Sequence, residues 1–145
     1  MSSHRLHPDI TMERLAARSP GTLPGWFGFT LTGLDAGQLS AQFVIRPEML
    51  APNGFLHAAS VIALADTAAG YATVAHLPVG AESFTTIELK SNFLGTQTEG
   101  VLSCVARAAH TGRTTQVWDV EVIGDTGRTL ALFRCTQMIL WPKGG

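Results

Sequence analysis

One acidic side chain stands where acid is costly. Asp66 is the only Asp, Glu, Lys or Arg between Glu48 and Glu82, inside the run HAASVIALADTAAGYATVAH from His57 to His76. Burying a carboxylate in such surroundings costs on the order of several kcal/mol unless it is paired or neutralised. A carboxylate held this way can act as general base or nucleophile in acyl transfer. It can equally be a structural Asp bonded to the hydroxyl of Thr67 or Thr73, or to a backbone group.

A second chemical feature precedes it. The segment Asn53-Gly54-Phe55-Leu56-His57 leads into Ala58-Ala59. If a helix starts there, its first N–H groups lack intrahelical partners. Small side chains at 58 and 59 let a ligand oxygen approach those donors, as an oxyanion site requires. The same residues also suit an ordinary turn and helix start. From His57 to Asp66 is nine residues, about 13.5 Å along a helix and about 180° around it. One chain therefore cannot easily aim Asp66 at its own helix start. If both act on one substrate they come from different subunits, which predicts a two-fold dimer with two equivalent interface sites.

The remaining elements must position these two features. Residues 1–20 read as a lead-in, loose over 1–10, with a short helix over 11–18 capped by Thr11 and closed by Ser19-Pro20-Gly21. Residues 21–145 read as one domain. Trp26 to Leu34 is strand-like, and Leu39 to Ile45 alternates with the period of two of a half-buried strand. Pro47 and Ala51-Pro52-Asn53-Gly54 form a loop. The run 57–76 is apolar on nearly every side, so as a helix it is buried or spans a membrane. A span of about 20 residues is long enough, but a mid-bilayer Asp costs about 2.5–3.5 kcal/mol. A central helix wrapped by a sheet is the better reading.

Four strand-like stretches follow: Phe84 to Leu94, Val101 to Ala109, Thr115 to Ile123 and Thr129 to Leu140. In the first, Ile87, Leu89 and Phe93 fall on one face and Thr86, Glu88, Lys90 and Asn92 on the other. Gly124-Asp125-Thr126-Gly127 is a hairpin turn, and the short links predict an antiparallel meander. The fold class is α+β, an antiparallel sheet of about six strands curled around one long helix.

Composition narrows the function. Hydrophobic residues make up 46% of the chain and charged residues 14%, with net charge −1. This leaves no electrostatic footprint for nucleic acid or an anionic membrane, and so little charge suggests that another subunit covers part of the surface. The His and Cys residues show no metal-ligand spacing, and no metal or cofactor is expected. Cys104 and Cys135 lie in strands and read as reduced core thiols. The N-terminus lacks the apolar core of a signal peptide, which points to the cytoplasm.

The run NGFLHAASVIALADTAAGYA, with IELKSNFL, HTGRTT and the last strand, resembles the hotdog-fold acyl-CoA thioesterases of the phenylacetate-degradation (PaaI-like) type over roughly residues 20–140. In that family a Gly-x-x-His-Gly-Gly stretch opens the central helix, and a carboxylate nine residues after the His serves as base or nucleophile. The matching positions are Gly54, His57, Ala58, Ala59 and Asp66. The resemblance implies acyl-CoA hydrolysis and a dimer with a continuous sheet, often paired into a tetramer, with sites shared between subunits. Two departures stand out. Ala58-Ala59 replaces Gly-Gly. Where some relatives carry Gln or Asn six residues before the His, and Ser or Thr four after the carboxylate, this chain has Ala51 and Gly70. Asn53 or Thr67 are candidate substitutes.

On this reading the thioester carbonyl meets the N–H of Ala58, with that of Ala59 as a second candidate, while the partner's Asp66 activates water or attacks directly. A thiol with pKa near ~8.5 leaves without a strong acid. His57 shapes the turn or contacts the thioester. Lys90, Asn92, His110 and Arg113 are candidates for holding the CoA arm, Arg113 foremost because a guanidinium suits phosphate. Phe55, Leu56, Tyr71 and Phe84 are acyl-pocket candidates or plain core. The competing readings are a non-catalytic acyl-CoA sensor, which needs no Asp66, and a hotdog hydratase or dehydratase, which pairs a His with an acid.

Overall fold

The computed structural model describes residues 3–144. Two short helices, α1 (Met12–Ala16) and α2 (Leu23–Trp26), precede strands β1 (Thr30–Asp35) and β2 (Gln38–Val44). A 3-10 turn over Pro47–Met49 leads to the long helix α3 (Ala58–Ala75). Strands β3 (Ser83–Phe93), β4 (Val101–Thr111), β5 (Thr115–Ile123) and β6 (Thr129–Leu140) follow. All six strands form one antiparallel sheet, which curls around α3.

Small side chains let the helix sit close to the sheet. Leu64, Ala65, Ala68, Ala69, Ala72 and Ala75 are fully buried. They meet an inner sheet face built from Leu39, Ala41 and Phe43 of β2, Leu102 and Cys104 of β4, Trp118 and Val120 of β5, and Phe133 and Cys135 of β6. Cys104 and Cys135 are buried and unbridged, and burial pushes both thiols up to about 12. α3 is long and apolar enough to cross a membrane, but here the sheet surrounds it.

Three expectations change. First, the strand expected from Trp26 begins only at Thr30, because Leu23–Trp26 form a helical turn. Pro24 supplies the fixed φ that suits a first helical turn, and Gly25 leaves room for the Ser19 carbonyl, which a Cβ would strike. Second, the sheet is not a meander: its order is β1-β2-β4-β5-β6-β3, so β3 lies at the edge beside β6. The 94–100 link passes the ends of β6 and β5 to reach β4. Gln97 holds that crossing down, accepting from the Asp125 N–H at 2.9 Å and donating to the Glu99 and Val101 carbonyls. Third, a register shift between Thr86 and Glu88 divides β3. Phe84 and Thr86 oppose the buried Ile139 and Gln137, and beyond the bulge Leu89, Ser91 and Phe93 oppose the buried Cys135, Phe133 and Ala131. Directly opposed residues share a face. Thr86 therefore joins the inner face, while Lys90 and Asn92 keep to the outer one.

β3 is thinly covered. Ile87, Leu89 and Phe93 are all at least 40% exposed, and its outer edge has no neighbouring strand. At the other end of the molecule the lead-in contacts the body. The His7 N–H donates to the Ala75 carbonyl at 2.8 Å, and His4 Nδ1 lies 2.8 Å from Thr111 Oγ1. Leu15 of α1 is fully buried.

Candidate active site

The start of α3 is built by a tightly bonded loop. Gly54 takes φ +90°, a conformation side chains rarely adopt. Its N–H donates to the Ala51 carbonyl, and the Ala51 N–H to the Phe55 carbonyl. The Phe55 N–H donates to Asn53 Oδ1 at 3.2 Å and the Leu56 N–H to Thr96 Oγ1 at 3.0 Å. Asn53 and Gly54 thus shape the turn. His57 caps the helix with extended backbone (φ −64°, ψ 136°), and its Nδ1 accepts from the Ala59 N–H. The Ser60 and Val61 N–H groups donate to the His57 carbonyl. Among the described residues this leaves the Ala58 N–H as the helix-start donor without a partner, and Ala58 itself is exposed. The macrodipole adds to its pull on negative charge.

Asp66 lies half-buried in the middle of α3. Its Oδ1 is buried without a hydrogen-bond partner among the described residues. Neither Thr67 nor Thr73 satisfies it: the Thr73 hydroxyl donates to the Ala69 carbonyl instead. Burial pushes the Asp66 carboxyl above the usual carboxylate range. Its charge in turn helps raise the Cys135 thiol on β6.

Asp66 opens into a cavity of about 250 Å³ whose walls include Arg18, Thr67, Gly70, Tyr71, Phe84 and Thr86. The Tyr71 hydroxyl is tied to Ser19 Oγ at 2.7 Å. A Cβ on Gly70 would stand 3.2 Å from Phe84 Cζ, so the Phe84 ring already fills the space beside that position.

None of residues 53–59 lines this cavity. The two chemical features are separate within one chain, as their spacing on a helix requires. The four residues expected to hold a CoA arm are also dispersed. Lys90 and Asn92 lie on the outer face of β3, opposite Arg134 and Leu132. His110 pairs with Val117 on β4 and β5. Arg113 stacks over Trp141 at 4.3 Å and borders a different cavity beside His76, at the C-terminal end of α3. Of the acyl-pocket candidates, Tyr71 and Phe84 line the Asp66 cavity, while Phe55 and Leu56 belong to the helix-start loop.

Sequence reasoning missed two polar wall residues. Arg18 arrives from the segment read as a lead-in, and nothing local signals its destination. Strict alternation puts Thr86 on the polar outer face, and the bulge reverses that.

A half-buried carboxylate with an unpartnered Oδ1 beside a cavity, on a central helix whose start offers a free N–H, makes up the candidate site, and a sheet curled around one long helix is the hotdog architecture. The thioesterase superfamily model matches residues 53–131, and the chain belongs to that superfamily as a thioester hydrolase. It is 29% identical over 145 residues to thioesterase PA1618 of Pseudomonas aeruginosa, covering 100% of this chain and 98% of the relative. The crystal structure of a mutant of that relative superposes with TM-score 0.87 at 27% identity, covering 93% and 97% of the two chains. The acyl-coenzyme A thioesterase PaaI of Escherichia coli is 30% identical over 108 residues, 74% of each chain.

Proposed function

We propose that this protein hydrolyses acyl-CoA thioesters, with Asp66 as general base and the Ala58 N–H of a partner subunit as oxyanion donor. The single observation carrying this reading is Asp66 itself, whose Oδ1 is buried, unpartnered and set in a cavity. A structural Asp would have used the nearby hydroxyls. The name of the PaaI relative supports CoA thioesters as the substrate class.

The reaction needs few groups. The thioester carbonyl oxygen lies against the Ala58 N–H at the positive end of α3. Asp66 takes a proton from water as the water oxygen bonds to the carbonyl carbon. The carbonyl electrons move onto oxygen, where the N–H and helix dipole hold them. Collapse of the intermediate breaks the C–S bond, and the thiolate takes up the proton to leave as CoA thiol. The acyl group leaves as a carboxylic acid.

The assembly follows from the separation of the two features along α3. A two-fold dimer sets each Asp66 cavity beside the partner's helix start. The exposed apolar residues and open edge of β3 suit such a contact. Lys90 and Asn92, on that same strand, remain candidates for the CoA arm. His110 and Arg113, at the far end of α3, are left out of the proposal.

Thiol release from a panel of aryl and aliphatic acyl-CoAs, with wild type and Asp66→Asn side by side, tests this. Wild type is expected to turn over at least one member, and Asp66→Asn to lose about 10²-fold or more. Equal turnover by both forms makes Asp66 structural. Binding of CoA esters without thiol release by either form moves the assignment to a sensor. Label found in Asp66 after single-turnover hydrolysis in H₂¹⁸O makes Asp66 the nucleophile, whereas a general base puts all of the label in the released acid.

A further inference from the structure

The inner sheet face carries a polar pair that the reaction outlined above does not use. Thr86 Oγ1 donates to Gln137 Oε1 at 2.6 Å, across neighbouring strands at opposed positions. Gln137 is fully buried, and among the described residues its Nε2 has no hydrogen-bond partner. Leaving an amide N–H buried and unsatisfied is destabilising. Gln137 therefore earns no stability that an apolar side chain of equal size could not supply. What its amide does is hold the Thr86 hydroxyl in one orientation.

That orientation has a chemical consequence. Thr86 lines the same cavity as Asp66. A hydroxyl has one proton and two lone pairs. With the proton committed to Gln137, Thr86 presents only lone pairs to the cavity. The ionised Asp66 is likewise an acceptor. A water between two acceptors directs one O–H to each, so its own lone pairs point away from both and toward an electrophile. Had Thr86 been free to donate, it would have competed for those lone pairs. At about 250 Å³ the cavity exceeds the roughly 10–15 Å³ of probe-occupied volume one water needs. Gly70 contributes no hydroxyl, and the Tyr71 hydroxyl is engaged by Ser19. Thr67 is the other hydroxyl in the wall, but no contact fixes its direction.

We infer that Thr86, oriented by Gln137, positions the water that Asp66 deprotonates. Thr86 and Gln137 are positioning residues, acting through the water and through each other. The inference rests on the general-base reading above.

The test is steady-state kinetics on the best acyl-CoA substrate for wild type, Asp66→Asn, Thr86→Val, Thr86→Ser and Gln137→Met, with thermal unfolding of each. Thr86→Val keeps the shape and removes the lone pairs. It is expected to lower kcat about 10- to 100-fold with KM nearly unchanged. Thr86→Ser is expected to restore most of that loss. Gln137→Met leaves the hydroxyl but frees its proton, and is expected to give a smaller loss in kcat alone. It carries the test if Thr86→Val does not fold. Wild-type kcat in both Thr86→Val and Gln137→Met, with Asp66→Asn impaired, overturns the inference and leaves the base intact. A rise in KM at constant kcat makes Thr86 a wall of the acyl pocket and also overturns it. Full activity in Asp66→Asn overturns the underlying reading instead.

Discussion

The Ala59 N–H donates to His57 Nδ1 at 2.9 Å, and this bond divides the labour at the start of α3. The cap takes the Ala59 donor, so Ala58 alone faces outward with its N–H free. His57 thereby shapes the turn, one of the two roles its position offered.

A proline at position 58 exploits that division. Proline is well tolerated at the first helical position, where the N–H has no intrahelical partner. The residue before it must be extended, and His57 already is. Ala58→Pro is expected to unfold at a temperature close to wild type while kcat falls about 10²- to 10³-fold, the cost of one oxyanion donor. Retained kcat in a folded Ala58→Pro protein excludes the Ala58 N–H as that donor.

Asp66 is expected to trade stability for activity. Burial raises its carboxyl above the usual 3.8, so the native state binds this proton more tightly than the unfolded chain does. The associated stability is complete below 3.8 and is lost as pH rises through the raised value. At neutral pH the ionised group is a burden, and Asp66→Asn is expected to unfold at a higher urea concentration than wild type. The gain should shrink to nothing as pH falls toward 3.8. In wild type the acid limb of kcat/KM should lie above 3.8, since the base must be ionised. Urea midpoints and rate profiles against pH check both statements.

Gly70→Ala probes the cavity wall. Alanine raises helix propensity by about 0.8–1.0 kcal/mol over glycine. Its Cβ would press on Phe84 Cζ from 3.2 Å, so the ring must shift by a few tenths of an ångström. The two effects oppose each other, and unfolding free energy is expected to change by less than about 1 kcal/mol. Turnover should fall most for the bulkiest acyl groups, which a series of acyl-CoAs of increasing size measures as kcat/KM.

His76 should give the fold an acid-sensitive point. Its ring is buried against Trp118; Nδ1 contacts the Ala72 carbonyl at 2.7 Å, and Nε2 accepts from the Gly37 N–H at 2.8 Å. Burial lowers its pKa below 6.5. The neutral ring contributes stability that is present above 6.5 and is lost as pH falls through the depressed value. Wild type is expected to show a falling urea midpoint below pH 6.5. His76→Gln should be less stable throughout and lack that part of the slope. Parallel slopes in the two proteins would show that another group titrates.

Much of this architecture was legible from local pattern. The Ala-rich run became the buried helix almost residue for residue, because apolar character on every side leaves a helix no solvent face. Strands β2, β5 and β6 were plain for a similar reason: one buried face imposes a period of two. Asp66 and the helix start were singled out by chemistry, since a lone acid in an apolar run and a small-residue helix start are both unusual. The place of β3 was hidden. Short links suggest a meander, but nothing local says that a seven-residue link crosses two strand ends under the grip of Gln97.

Amino-acid order by itself determined the long helix and most of the strands, though not the helical turn at Leu23–Trp26, and also which carboxylate lies in apolar surroundings and that Asp66 and its own helix start face opposite ways. Each follows from spacing along one element. Only the tertiary structure decided what surrounds that carboxylate. The bulge after Thr86 turns that hydroxyl inward, the lead-in delivers Arg18 to the cavity, and the register of β3 on β6 seats Thr86 on Gln137. Such contacts join residues far apart in the sequence, 51 positions for Thr86 and Gln137. They are set by how strands pair and shift, which a periodic pattern within one strand does not encode.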